Sequence, residues 1–379
     1  MELSEDWKGI EDIVIYGLGS VADRVIDKLI DDFNVIYIID KNKKGQTYRD
    51  IPIIAYDDAF DEIRRKKIKI IVTTAQRTYD GIKKILTVNG FMEGIDFIRV
   101  EQFAVEWYWE NRQQINIIQV NTAVTTFCTL NCTNCNMFMP YYKERKIYDF
   151  YELKTDMDLL MQYVDYVFCY SFLGGEPFLN KELYKIIDYA GTKYKEKIGR
   201  LAITTNGTVI PDDKTMEVLR KNNVHINVSD YTNSVDYKDK FEDFLMALKK
   251  NKIEVSTIKS LVWKKFGFPN ESYDWGDSAH TKCHMLSCAP LFHGLNDGRF
   301  YYCHVVWSAN KAGLYDIPKE DYIQLNALDK DSLSDRRKLS EYSRGVSDKG
   351  YLSFCRRCGG CGNDNTDIVI AGEQKYISG

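Results

Sequence analysis

Between residues 115 and 260 short apolar runs alternate with amphipathic runs of helical period, and few folds accept that rhythm. The strand-like runs are "INIIQVNTAV", "YVFCYSFLG", "RLAITTNG", "HINVSD" and "IEVST". Between them stand "DMDLLMQYV", "KELYKIIDYAGTKY", "KTMEVLRKN" and "KFEDFLMALKKN", with apolar residues spaced for one helical face. Repeated βα units of this length predict a parallel sheet curled into a full or partial barrel, with its chemistry at the C-terminal strand ends. Those ends are polar or glycine-rich: "FLGGEP" at 172–177, "TTNGT" at 204–208 and "NVSDY" at 227–231.

The first hundred residues alternate in the same way. "EDIVIYG", "NVIYIID", "IPIIA", "IKIIVTT" and "DFIRV" read as strands, with helices such as "SVADRVIDKLIDDF" between them. A small doubly wound, Rossmann-like α/β domain is expected over 1–105. "GLGSVA" (17–22) follows the first strand and opens a helix, so Gly17 and Gly19 form a relaxed dinucleotide fingerprint. Asp40 closes the second strand, where an acidic group would reach a ribose. The fold is expected from this context; NAD is not. Residues 110–280 form the barrel section. Residues 281–379 differ, being rich in cysteine, glycine and aromatics, with "NDG" marking a hairpin turn at 296–298.

Net charge is −4 and no basic tract is dense enough for a nucleic-acid footprint; "RRKKIK" (64–69) reads as a solvated helix end. No run reaches about 18 apolar residues, so no membrane span is expected. The first residues lack a signal-peptide pattern, and a cytoplasmic location is expected. There, ten cysteines read as metal ligands or redox groups rather than a disulfide framework.

Three of the ten lie in "TTFCTLNCTNCNMF" (125–138), just past the first barrel strand. Cys128, Cys132 and Cys135 stand in C-x3-C-x2-C. A closed zinc site wants four ligands, so on spacing alone the choice lies between zinc with a distant fourth ligand and a [4Fe–4S] cluster with one open iron. The glycines of "GGEP" remove side chains where a ligand would lie along backbone, and Glu176 offers a carboxylate to an amino group. Cys169, inside a strand, reads as core.

The spacing, the "GGEP" stretch and the order of the later strand ends together resemble the radical S-adenosylmethionine (SAM) superfamily over roughly 115–260. The resemblance implies that Cys128, Cys132 and Cys135 bind a [4Fe–4S] cluster whose open iron chelates the SAM methionine. It implies SAM contacts from Gly174, Gly175, Glu176 and Pro177, then from Thr205, Asn206, Gly207, Ser229 and Asp230. One electron from a low-potential donor such as flavodoxin or ferredoxin then splits SAM to a 5′-deoxyadenosyl radical, which takes a substrate hydrogen. One position departs: the residue before the third cysteine, usually aromatic, is Asn134, which puts the adenine contact in doubt.

The later cysteines resemble the auxiliary-cluster region of the same superfamily, called SPASM in its long form and twitch in its short form. "CAPLFHGLNDGRFYYC" (288–303) reads C-x9-G-x4-C, and "CRRCGGC" (355–361) supplies C-x2-C. The short form implies a second [4Fe–4S] cluster on Cys288, Cys303, Cys355 and Cys358. Cys283 and Cys361 remain as substitutes. A zinc ribbon fits the spacings equally well.

The expectation is therefore a partial (β/α)6 barrel between a Rossmann-like domain and a twitch- or SPASM-like domain. The expected activity is hydrogen abstraction from a polar small molecule, a sugar or nucleotide-sugar, with alcohol oxidation favoured over epimerisation. Asp230, Tyr231, Cys283 and Cys361 are candidates for proton or hydrogen transfer. Two alternatives are a SPASM-type peptide maturase, which the α/β N-terminus speaks against, and a zinc-stabilised, non-catalytic binding protein.

Overall fold

The computed structural model describes residues 3–288, 292–346 and 349–375, and the chain divides into two compact units, 1–118 and 119–379. The expected section boundary near 281 falls inside the second unit.

In the first unit six strands form one sheet: β1 (Asp12–Tyr16), β2 (Asn34–Ile39), β3 (Thr47–Tyr48), β4 (Ile51–Ile54), β5 (Lys69–Val72) and β6 (Phe97–Arg99). Their order is β3-β4-β2-β1-β5-β6, and only β3 runs antiparallel. Without β3 this is a doubly wound order, reversing direction beside β1. Helices α1 (Ala22–Asp32), α2 (Phe60–Lys66) and α3 (Gln76–Val88) connect the strands. Val25, Ile26 and Leu29 of α1 are buried, as helical spacing predicts. The next helix, α4 (Val100–Arg112), was not foreseen in the sequence. Its "FAVEWYW" is apolar nearly all round, so no amphipathic stripe marks it; Phe103, Trp107 and Tyr108 are all buried.

The second sheet begins with β7 (Asn116–Thr125), buried at every position. Then come β8 (Tyr166–Gly174), β9 (Ile198–Thr205), β10 (His225–Asp230) and β11 (Val255–Lys259), laid side by side in sequence order. The pairings from β8 to β11 are parallel. Helices α5 (Phe150–Met161), α6 (Leu183–Lys193), α7 (Asp213–Lys221) and α8 (Lys238–Lys250) make the crossovers. Asp149 caps α5 through a complete capping box with Glu152, which starts the helix six residues before the expected "DMDLL".

The sixth parallel strand does not come from 110–280. The short β12 (Val262–Lys264) leaves the sheet to pair with β16 (Ile368–Ile370). The other edge of β7 takes β13 (His293–Asn296), parallel through His293–Val120 and Gly294–Asn121. Then β14 (Arg299–Tyr301) and β15 (Ile323–Gln324) continue it antiparallel. The β13–β14 hairpin turns at Asp297 and Gly298, with φ of 58° and 70°, the two positive values a type I′ turn needs. The backbone amides of Asp297 and Gly298 donate to Asp156 of α5 at 2.8 and 2.7 Å. Asn296 donates to and accepts from the Ala123 backbone at 3.0 and 2.9 Å. The cysteine-rich C-terminal section is thus stitched to the strand that carries the first cysteines. Among the described residues no helix is long and apolar enough to cross a membrane.

Candidate active site

The first cysteine loop leaves β7 at Thr125 and returns beside it. Thr126 donates its amide to Lys146 O at 2.8 Å, Tyr148 donates to Val124 O at 3.1 Å, and Thr125 bridges Ile147. Inside the loop successive turns stack: Cys135 N donates to Cys132 O at 3.2 Å and Phe138 N to Cys135 O at 3.0 Å. The loop is closed at its base and short-range within, so its own backbone keeps Cys128, Cys132 and Cys135 in one compact run of turns.

The end of β8 lies directly on this loop. Gly175 N donates to Thr125 O at 2.9 Å and Glu176 N to Phe127 O at 2.8 Å. A Cβ on Gly174 would sit 2.2 Å from Thr125 O, and one on Gly175 2.0 Å from Phe127 O. The two glycines are therefore needed for backbone to meet backbone, a physical reason different from the ligand clearance that the sequence reading assigned to them.

Glu176 also has a task inside the fold. Its side chain is fully buried. It accepts from Thr205 Oγ1 at 2.8 and 2.9 Å, from Asn206 N at 2.9 Å and from Phe178 N at 3.2 Å. Burial pushes its carboxyl up to about 7, against the pull of these donors. The carboxylate ties the end of β8 to Thr205 and Asn206 at the end of β9. Pro177 starts the tight turn Pro177–Leu179 beside it. Asn206 reaches on to the loop, donating to Thr129 Oγ1 at 3.2 Å and standing 3.6 Å from Cys128 Sγ. Gly207 has φ of +74° and backs onto Phe241.

Ser229 and Asp230 end β10. Asp230 is buried and accepts from Thr232 N at 2.9 Å, within its own turn. Tyr231 leans edge-on against Trp263, with centroids 5.2 Å apart. Its hydroxyl is held well above the ordinary phenol range by burial, with the thiols of Cys132 and Cys135 adding to the effect. Of the transfer candidates, Tyr231 is the one whose ionisation the thiols of the first loop influence.

The thiols themselves are buried acids. Burial pushes Cys128 up to about 12 and Cys132 to about 11, and raises Cys135. Each also has N–H donors aimed at sulfur: Leu130 N at 3.4 Å from Cys128, Gln374 Nε2 at 3.3 Å from Cys132, and the Met137, Phe138 and Met139 amides toward Cys135. Donors of this kind stabilise thiolate once a cluster has displaced the protons, so this donor set fits iron–sulfur ligation. Among the described residues no group of three or more His, Cys, Asp or Glu is arranged for a single metal ion.

A sequence model of the Radical SAM superfamily matches residues 122–265. The chain carries a radical SAM domain. No curated protein matches it. Among solved structures it is similar to anSMEcpe with bound AdoMet and Cp18Cys peptide, at 17% identity over 65% of this chain and 89% of that one, TM-score 0.39. It is also similar to BtrN in complex with AdoMet and 2-DOIA, at 19% identity over 69% and 97%, TM-score 0.38. With Streptococcus suis SuiB bound to precursor peptide SuiA the figures are 17%, 40% and 42%, TM-score 0.25. At these TM-scores the likenesses carry no argument about substrate.

The later cysteines come together within the same unit as the radical SAM domain. Cys288 closes α9 (Ser278–Cys288), Cys303 caps α10 (His304–Lys311), and Cys355 and Cys358 lie in and just after the turn Ser353–Arg357. Burial pushes Cys303 up to about 12, with Cys288 adding to the effect, and raises Cys355 and Cys358. Cys361 is the fifth thiol here: its Sγ is 3.6 Å from that of Cys288, and its amide donates to Cys288 Sγ at 3.2 Å. The thiol–thiol contact lowers Cys288 and raises Cys361, and the amide adds to the lowering of Cys288. Cys283 is exposed, so the thiol that contacts the set is Cys361. Residues 289–291, within C-x9-G-x4-C, lie outside the described residues.

The aromatic stretch 263–275, for which the sequence leaves both a substrate-facing and a packing role open, joins the two cysteine regions. In "WKKFGFPNESYDW", Phe268 stands edge-on to Phe138 of the first loop at 5.7 Å and to Phe354, beside Cys355, at 5.1 Å. Trp275 donates to Cys358 O at 3.0 Å and stacks on His284 at 3.9 Å. A stretch rich in aromatics yet broken by Gly267 and Pro269 was the available signal.

In the first unit Gly17 has φ of +102°, and its Cβ would stand 2.3 Å from Thr74 Cγ2. A Cβ on Gly19 would meet open space. Asp40 accepts from Leu18 N and Asn42 N, both at 2.9 Å. Its oxygens hold the glycine turn and the following loop, where the sequence reading placed a ribose.

Proposed function

We propose that this chain is a radical SAM oxidoreductase that takes hydrogen from a C–H beside a hydroxyl in a sugar or nucleotide-sugar, with epimerisation as the other outcome at the same carbon. Cys128, Cys132 and Cys135 would hold the SAM-cleaving [4Fe–4S] cluster. Cys288, Cys303, Cys355 and Cys358 would hold a second, with Cys361 able to replace one of them. The observation that carries the reading is the three-thiol loop, closed against the ends of β8 and β9 with N–H donors at its sulfurs. When bound, cluster and SAM supply the one-electron cleavage that yields 5′-deoxyadenosine. The chain's residues orient that chemistry: Glu176 fixes two strand ends, Asn206 reaches the loop, and Tyr231 lies on the wall by the thiols.

Radical SAM enzymes need a reductant, and a flavodoxin or ferredoxin in the cytoplasm would serve. The oxidation reading draws on the second thiol set as a nearby electron acceptor, and the sugar reading on the doubly wound first unit. NAD, nucleic acid and membrane have no part in it. The test is turnover in deuterated water with candidate sugars and sugar nucleotides. Product two mass units lighter than substrate supports oxidation. Product of unchanged composition with one solvent deuterium supports epimerisation instead, and no sugar consumed alongside SAM cleavage overturns the substrate class.

A further inference from the structure

The last described residues lie against the first cysteine loop. After β16 the chain turns at Gly372, where a Cβ would stand 2.8 Å from Tyr231 Cβ. The chain then runs antiparallel to the loop, with Cys132 and Gln374 as bridge partners. Thr133 N donates to Glu373 O at 2.7 Å, and Lys375 N to Asn131 O at 2.6 Å. Asn131 Nδ2 adds a bond to Lys375 O at 2.9 Å, and Lys375 Nζ sits 4.5 Å from the centre of the Tyr141 ring. The Gln374 side chain makes three more contacts. Its Oε1 accepts from Asn131 N at 2.8 Å, and its Nε2 donates to Gly372 O at 2.6 Å and points to Cys132 Sγ at 3.3 Å.

We propose that Glu373–Lys375 is a strap over the radical SAM cluster and that Gln374 is a positioning residue for it. The proposal rests on Cys132 being a ligand of that cluster. A primary amide suits the place because it accepts from the loop backbone and donates to sulfur at once. An N–H pointed at a ligating thiolate favours the reduced, more negative cluster and so raises its potential. The added strand also covers one side of the loop, which slows attack by oxygen.

The test uses the full chain, reconstituted anaerobically and titrated potentiometrically with EPR detection. The first cluster's signal is identified by its loss when Cys128, Cys132 and Cys135 are all changed to alanine. Gln374→Glu keeps the acceptor for Asn131 N but loses the donor to Gly372 O and to sulfur and adds charge. Its midpoint potential is expected to move negative with iron content unchanged. Gln374→Leu loses all three side-chain contacts; its cluster absorbance is expected to bleach several-fold faster in air. A first-cluster potential and bleaching rate equal to wild type in both variants would overturn the strap while leaving the cluster reading intact. Survival of every EPR signal in the triple cysteine variant would overturn the cluster reading, and the strap with it.

Discussion

The two cysteine regions gather buried thiols by opposite routes. In the first, three thiols lie within eight residues of one loop, and partners from β8, β9 and the strap hold that loop. In the second, thiols arrive from three segments, at 288, at 303 and at 355–361, and two of them touch. The first region is a short sequence motif held by distant strand ends. The second is a tertiary meeting, held by the β13–β14 hairpin and the aromatic stretch around Phe268. A motif that is contiguous can be read from its spacing, whereas a meeting depends on everything that positions its parts.

The sharpest way to break this comparison is to remove one region and count what the other keeps. Changing Cys128, Cys132 and Cys135 to alanine should abolish 5′-deoxyadenosine formation while leaving about four irons per chain on the second set. A triple variant that holds zinc and no iron would show the second region to be a ribbon. Gly175→Ala should follow in size. Its Cβ, 2.0 Å from Phe127 O, must push the loop off β8. Overpacking of this kind costs about 1–3 kcal/mol, and iron loading should fall at the first region alone. Wild-type melting and loading in this variant would mean that the loop is free to shift.

Glu176→Gln is a smaller change. It points an amide NH2 into a pocket whose three partners, Thr205 Oγ1, Asn206 N and Phe178 N, all donate, and should cost about 1–3 kcal/mol, read as a lowered denaturation midpoint. Retained stability would mean that the amide finds another partner. The last effect appears only as pH falls and is a pH dependence in the second region. Burial holds His293 down at about 4 while it donates to Tyr302 O at 2.9 Å. The unfolded imidazole takes its proton near 6.5, so the unfolded chain binds more protons below that pH. His293's contribution is therefore present above pH 6.5 and lost as pH falls toward 4. The stability gap between wild type and His293→Phe should shrink by up to about 3 kcal/mol over that range. A gap that stays constant would show that His293 does not titrate with folding.

Much of this was legible in the sequence because it is local. The strands Tyr166–Gly174 and His225–Asp230 match the expected runs end to end, and the "NDG" turn is where two positive φ values occur. The missing pieces are non-local or lack a period. No pattern marks α4, whose apolar residues surround the helix. Nothing near residue 293 says that it will pair with residue 120. Nothing around Glu176 says that it will also accept from Thr205 and Asn206, 29 and 30 residues away at the end of β9. Gln374 lies 242 residues from Cys132, and no spacing rule links them.

That late pairing also affects how the chain comes to be folded. Asn121 donates to His293 O across 172 residues, so one side of β7 has no strand to hold while most of the second unit is still being synthesised. Early in translation the most buried strand of this sheet is an open edge, able to recruit a neighbouring nascent chain. The edge of the strand that leads into the first cysteines closes only when β13 emerges, 172 residues after Asn121. Long-range contacts of this sort slow folding and lengthen exposure to aggregation. Yield of soluble protein should therefore depend on what guards that edge between the birth of Thr125 and the arrival of Asn296.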